Sequence, residues 1–266
     1  MRCLYYEEEQ FQLAVAEPQR YEADGKVLAG VVPHHLLASD MIAGFFSLAA
    51  QPVNPYDRVI LIAPSHYPQN CGSDFVTAAT HWNTPFGVVR TDSEFVEALL
   101  EDALIGAGNN AQAVEADHGA AGLIPFIAHY LPGVTVGICL VAGGASLNRL
   151  EALQALVADA CGDGRTLLVV SVDFSHYLTV AESERMDSET WRAVESFDYG
   201  EIMAYDNRHV DSPQALGTFM RVLEALDLDL VQLDHSSSAL KLPHAETNPI
   251  FYEGLTTYFI LGGVWE

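Results

Sequence analysis

The sequence predicts an α/β fold: one domain over residues 1–266, built around a mostly parallel central sheet flanked by helices. Three observations predict it. Short β-branched apolar runs, Val27–Val32, Val59–Ala63 and Leu167–Val172, show little polar alternation, the mark of strands buried on both faces. Stretches with helical spacing lie between these runs, so strands and helices alternate. Each run also ends in histidine, through Pro33–His34–His35, Pro64–Ser65–His66 and Asp173–Phe174–Ser175–His176. In open α/β sheets ligands bind beyond the carboxyl ends of the strands. The chain therefore sends three imidazoles to the edge where such a fold does chemistry.

Residues 1–26 are polar and aromatic and read as a lead-in with an edge strand. After the first core strand, Ser39–Ala50 has helical periodicity, with Ser39 or Asp40 as N-cap. Val59–Ala63 is the second core strand, stopped by Pro64. Asp74–Thr80 and Gly87–Arg90 read as strands around a turn at Asn83–Thr84–Pro85, and Asp92–Asp102 as an amphipathic helix capped by Asp92 or Ser93. Residues 105–115, rich in Gly and Asn, read as a loop. Ala116–Asp117–His118–Gly119 then leads into an apolar stretch to Tyr130. Val134–Ala142 is a strand and Leu147–Ala160 a helix. Thr166–Val172 is the third histidine-bearing strand, and Ala181–Ser196 a charged, solvent-facing helix. Pro213–Leu226 is a helix with Ser212 as N-cap and Pro213 in its first turn. Leu230–Leu233 and Gly254–Leu261 close the sheet.

The 36 acidic and 12 basic residues leave a net charge of −24. Such a surface repels phosphate backbones and anionic lipid, so neither nucleic acid nor membrane is an expected partner. The run Glu7–Glu9 reads as a solvated face. Cys3, Cys71, Cys139 and Cys161 lie far apart, without a CxxC pair, which argues against a disulfide framework or a zinc knuckle. No apolar stretch approaches the roughly 18 residues of a membrane span. The acidic opening MRCLYYEEEQ is unlike a signal peptide, so a cytoplasmic location is expected.

The candidate chemistry sits at the strand ends. His34 and His66 read as metal ligands or acid/base groups. His35, next to His34, should point elsewhere. Asp173 and His176, three apart, can turn inward as an acid/base or orienting pair, and His118 adds a fourth imidazole beside Asp117. Without a GxSxG elbow, Ser65 makes a weak nucleophile candidate. His81, His129, His209, His235 and His244 lack the strand-end context and read as structural or surface groups. Two imidazoles and a carboxylate form the facial site of non-haem iron(II) oxygenases, and zinc accepts the same ligand types. Spacing alone does not choose the carboxylate.

Four stretches, GVVPHHLLA, ILIAPSHY, EADHGAAGLIPFI and VVSVDFSHY, occur in that order over most of residues 27–180, with a looser match at GLTTYFILGG. In these the chain resembles the Memo family, also described as AmmeMemoRadiSam system protein B. That family is similar in fold to the class III extradiol dioxygenases, which use iron(II) held by two histidines and an acid. The resemblance implies metal histidines at His34 and His66, and pocket residues at Asp173, His176 and His118. Some members carry a cysteine as the third metal residue just before a helix. Reading DSPQALG against that motif places Asp211 there, which disfavours a thiolate-dependent redox role. His35 stands where many members have a small residue. The family name records co-occurrence with a radical-SAM protein and an Amme-domain protein, so a functional association with both is a further expectation. Expected cofactors are Fe(II) first, with Zn or no metal as alternatives. The expected ligand is a small molecule or peptide. The functions in play are a dioxygenase-like oxidoreductase, a non-catalytic binding module using the same pocket, and a zinc-type hydrolase.

Overall fold

A computed structural model of the chain describes residues 1–51, 55–67, 72–242 and 254–265. His244 and Cys71 lie outside the described residues. In chain order the elements are α1 (Glu8–Ala16), β1 (Lys26–Val32), α2 (Ser39–Ala49), β2 (Arg58–Pro64), β3 (Phe75–Thr77), β4 (Trp82–Thr84), β5 (Gly87–Thr91), α3 (Ser93–Glu101), β6 (Gly108–Asn109), α4 (Ala111–Ala116), α5 (His118–Ala121) and α6 (Ile124–Tyr130). They continue with β7 (Thr135–Val141), α7 (Leu147–Cys161), β8 (Thr166–Ser171), β9 (His176–Leu178), α8 (Val180–Glu195), α9 (Tyr199–Met203), α10 (Pro213–Leu226), β10 (Asp229–Ser237), α11 (Ser238–Lys241) and β11 (Leu255–Trp265).

The main strand order is β10-β11-β1-β8-β2-β7-β3-β6. At its centre β1, β8, β2 and β7 run parallel, and β5 joins β7 in the same sense. The margins are antiparallel: β11 on β1, β10 and β9 on β11, and β3 on β7. The sheet is therefore mixed, with the mostly parallel core expected from the apolar runs.

Side chains alternate across this core as the pleat requires. Val59, Leu61 and Ala63 of β2 face one hydrophobic layer, with Leu167 and Val169 of β8 and the helices α2 and α6. Ile60 and Ile62, with Leu168 and Val170, face the other layer, which α7 and α10 cover. Gly30 of β1 seats the Phe45 ring of α2; an added Cβ there would lie 2.1 Å from the ring. With helices on both faces, strands lose polar alternation, which is why they read as continuous apolar runs.

Several expectations need correction. Residues 1–26 hold a helix, α1, whose first turn takes up Glu8 and Glu9. Residues 105–115 are partly ordered: β6 pairs with β3, and Asn110 caps α4 through the Ala113 N–H. Neither Ser39 nor Asp40 caps α2, because a 3-10 turn at Leu36–Ala38 runs straight into it. Helix α8 does not simply face solvent; Met186, Asp187, Thr190, Ala193 and Val194 are buried. Strands β10 and β11 are longer than expected, since they pair along nearly their whole length. Among the described residues no helix is long and apolar enough to cross a membrane.

Candidate metal centre

Strand order assembles the centre. Because β8 lies between β1 and β2, in parallel with both, the carboxyl ends of all three strands are neighbours. His34 follows β1, His66 follows β2, and β8 ends at Ser171, two residues before Asp173. The start of α10 is tied to the same edge. Val210 bridges Phe174, and the Asp211 N–H donates to the Asp173 carbonyl at 3.0 Å. His118 opens α5, whose N-cap is Asp117.

The hydrogen bonds fix which nitrogen of each imidazole is free. The Ser171 hydroxyl donates to the Gly119 carbonyl, so it accepts from His34 Nδ1–H at 3.1 Å. The Asp117 carboxylate can only accept, so it takes the Nδ1–H of His66 at 2.7 Å. Both rings therefore turn Nε2 toward the centre. Asp211 Oδ2 lies 3.2 Å from Nε2 of His34 and 4.0 Å from Nε2 of His66. The rings of His66 and His118 are 3.9 Å apart between centroids. One ligand atom from each of His34, His66 and His118 lies within 4.8 Å of the other two.

Burial sets the electrostatics. It drives the His34 imidazole well below its ordinary value, helped by His66 and His118. His118 is lowered by burial and then by His66, and His176 by burial. Burial and the neighbouring Asp173 hold the Asp211 carboxyl well above the usual carboxylate range; burial also raises Asp173. Asp117 differs. Burial pushes it up, but the His66 ring and the N–H groups of His66 and Gly119 outweigh this and leave it below its ordinary value.

These residues fit a cation. Both Asp211 oxygens are buried without a hydrogen-bond partner among the described residues, and Oδ2 faces the Nε2 atoms of His34 and His66. An ionised Asp211 against imidazole nitrogens, away from water, is costly unless a positive charge, a cation or a proton, sits between them. The carboxylate that accepts from the far nitrogen of His66 is the usual support of a metal-binding imidazole.

Each expected site residue can now be placed. His34, His66, Asp211 and His118 come together. Asp173 reaches the centre by another route than its spacing suggested. Its Oδ1 accepts the backbone N–H of His34 at 3.1 Å, and Oδ2 is 3.5 Å from His34 Nε2. Phe174 and Ser175 are hydrogen-bonded to Thr257, and the His176 N–H donates to the Asn207 carbonyl at 3.0 Å, so residues 173 and 176 do not share one helical turn. His176 is half-buried, and its Nδ1 lacks a hydrogen-bond partner among the described residues. His35 turns away and meets the Tyr258 hydroxyl at 2.9 Å through Nδ1. His81, His129, His209 and His235 make other contacts: with Thr91, an aromatic cluster, Glu189 and Asp187. Sequence reasoning missed Asp117 as the group that orients His66, although its position before His118 marked it as close by. It also missed Ser171, whose hydroxyl sits in an apolar run with nothing to single it out.

Comparison with known proteins agrees with the motifs. The profile of Memo-like proteins matches residues 8–239. A MEMO1 family protein of Archaeoglobus fulgidus is 28% identical over 189 residues, covering 70% of this chain and 69% of the relative. One from Methanothermobacter thermautotrophicus is 24% identical over 228 residues, covering 82% and 75%. A third, from Methanopyrus kandleri, is matched over 61% of its length. An uncharacterized Escherichia coli K12 protein of known structure shares the fold, with a TM-score of 0.55 at 10% identity, covering 86% of this chain and 98% of that one. With the profile spanning most of the chain and the strand-end histidines in place, this protein belongs to the Memo family.

Proposed function

We propose that the protein is an iron(II)-dependent, dioxygenase-like oxidoreductase acting on a small organic substrate. His34, His66 and Asp211 hold the metal, and His118 stands at its half-exposed side. The observation that carries this reading is the buried Asp211 carboxyl, without a hydrogen-bond partner among the described residues, aimed at the Nε2 atoms of His34 and His66. Two imidazoles and a carboxylate leave open positions on iron(II), which supplies redox chemistry toward dioxygen.

The chain's own groups do the rest. Ser171 and Asp117 fix the ring orientations of His34 and His66. Asp173 pins the turn after β1 by accepting the His34 N–H. His118 and His176, both held low by burial, are neutral near pH 7 and able to accept a proton from a bound substrate hydroxyl. No cysteine is brought to the site among the described residues. Cys139 is buried in β7, with its thiol pushed up to about 12, and Cys3 is pushed up to about 11.

The test is anaerobic iron loading of the wild type and of His66→Ala, with metal analysis and circular dichroism. The wild type binds one iron per chain; the variant binds none and remains folded. Full iron occupancy in the variant overturns the assignment. Oxygen uptake on a small-molecule panel separates the alternatives. Tight zinc with ester or amide hydrolysis indicates a hydrolase, and ligand binding without metal indicates a binding module.

A further inference from the structure

A second buried polar cluster stands behind the segment that carries Asp173. Its centre is Asp187, on the inner face of α8 and 3% exposed. Asp187 Oδ1 accepts from the Ser175 hydroxyl at 2.7 Å and from the Thr257 hydroxyl at 2.8 Å. Its Oδ2 accepts the Nε2–H of His235 at 2.8 Å. The His235 ring stacks on Phe259, with centroids 4.2 Å apart, which fixes the plane in which Nε2 reaches inward. A buried carboxylate is costly unless its lone pairs are filled; here three donors fill them.

Ser175 is where this cluster touches the metal centre. It is fully buried, between Asp173 and His176 in sequence. The Phe174–Ser175 backbone is paired with Thr257 in both directions: Phe174 N–H to the Thr257 carbonyl at 2.9 Å, and Thr257 N–H to the Ser175 carbonyl at 3.1 Å. Main chain and side chain thus hold one residue from two elements, β11 and α8. Two residues upstream, Asp173 accepts the N–H of His34 on its side chain and the N–H of Asp211 on its carbonyl. A shift at Ser175 is passed to both.

We propose that Asp187 is a positioning residue: through the Ser175 hydroxyl it fixes the segment that sets Asp173 against His34 and Asp211, with His235 completing its hydrogen bonds. The proposal rests on the metal reading for its first readout alone. Asp187→Ala removes the carboxylate, so the Ser175 hydroxyl loses its acceptor; Asn would not serve, because its Oδ1 could still accept from Ser175 while its amide N–H donates to the other tautomer of His235.

The experiment titrates Co(II), as a coloured probe, into full-length wild type, Asp187→Ala, Ser175→Ala and the double variant. Each single variant binds Co(II) about tenfold more weakly, the range seen when supports of metal ligands are removed, and changes the visible Co(II) spectrum. The double variant is no worse than either single one, because both break the same link. Thr257→Ser, which keeps a hydroxyl, retains the wild-type spectrum. Folded single variants with wild-type affinity and spectrum overturn the proposal, as do fully additive losses. If Asp187→Ala does not fold, Ser175→Ala alone decides. If the wild type binds no Co(II), the metal reading falls, and the imidazole NMR signals of His34 and His176 in the metal-free variants decide instead. Shifts relative to wild type support the positioning role; unchanged signals refute it.

Discussion

His34 and His66 face the same point, but the two halves of the centre are built differently. The His34 side chain is 1% exposed, is oriented by a neutral hydroxyl, and lies between two carboxyls that burial holds above their ordinary range. The His66 side chain is 22% exposed and is oriented by a carboxylate held below that range. The inner half stores unfavourable electrostatics that a cation would relieve. The outer half is already satisfied and lies on the side from which solvent and ligand reach the centre. Affinity should therefore depend most on the inner half, and tuning on the outer.

Replacing Asp211 gives the strongest contrast. Asp211→Asn should weaken iron(II) binding by about 100-fold or more. It should also stabilise the metal-free protein by about 1 kcal/mol, since a buried carboxyl without hydrogen bonds is removed. Metal titration and urea melts of chelated protein read both effects. A metal-free variant less stable than wild type would show that the inner half is not strained.

Next comes Asp117→Asn, which weakens the support of His66 and the α5 cap. It should cost about 10-fold in iron affinity. Ser171→Ala, which removes a neutral partner from His34, should cost less, and isothermal titration ranks the two. The reverse order would invert the comparison.

The pH dependence of the metal-free fold is a third effect. His34, His118 and His176 are held below the ordinary imidazole value in the folded state. Below about pH 6.5 the unfolded chain binds protons that the folded one refuses, so stability falls as pH falls through that value. Asp211, raised in the folded state, works in the opposite sense: it costs stability as pH rises above about 4. Melting temperatures of chelated protein from pH 7.5 to 5.5 should decline, and His34→Gln should flatten the decline. The smallest effect is expected at Gly119, where a Cβ would sit 3.0 Å from His66 Cε1. Gly119→Ala should shift that ring and reduce iron affinity only a few-fold in the same titration.

Much of this architecture was legible from the residues. The apolar runs at β1, β2 and β8 are hydrophobic because helices cover both faces, and their Pro and His endings mark the functional edge. Helix α10 announced itself through Ser212 and Pro213, and the Ser212 side chain does accept the Ala215 N–H. What escaped notice depends on partners distant in sequence. Ser171 becomes significant through the Gly119 carbonyl, 52 positions away. Asp117 read as a neighbour of His118, yet its side chain serves His66. Asp187 lay in a helix rich in charge, and periodicity could not show that this one carboxylate points inward to Ser175, His235 and Thr257. Helix α1 was hidden because its acidic first turn and few buried residues give little amphipathic contrast.

The place of β8 in the sheet also bears on how the protein is made. As the chain leaves the ribosome, β1 and β2 emerge long before residues 166–171, yet in the finished sheet they touch only through that later strand. Until it inserts, no strand joins β1 to β2 to hold His34 and His66 in register, and Asp211 has not yet been synthesised. Assembly of the proposed metal site is thereby deferred until most of the polypeptide exists.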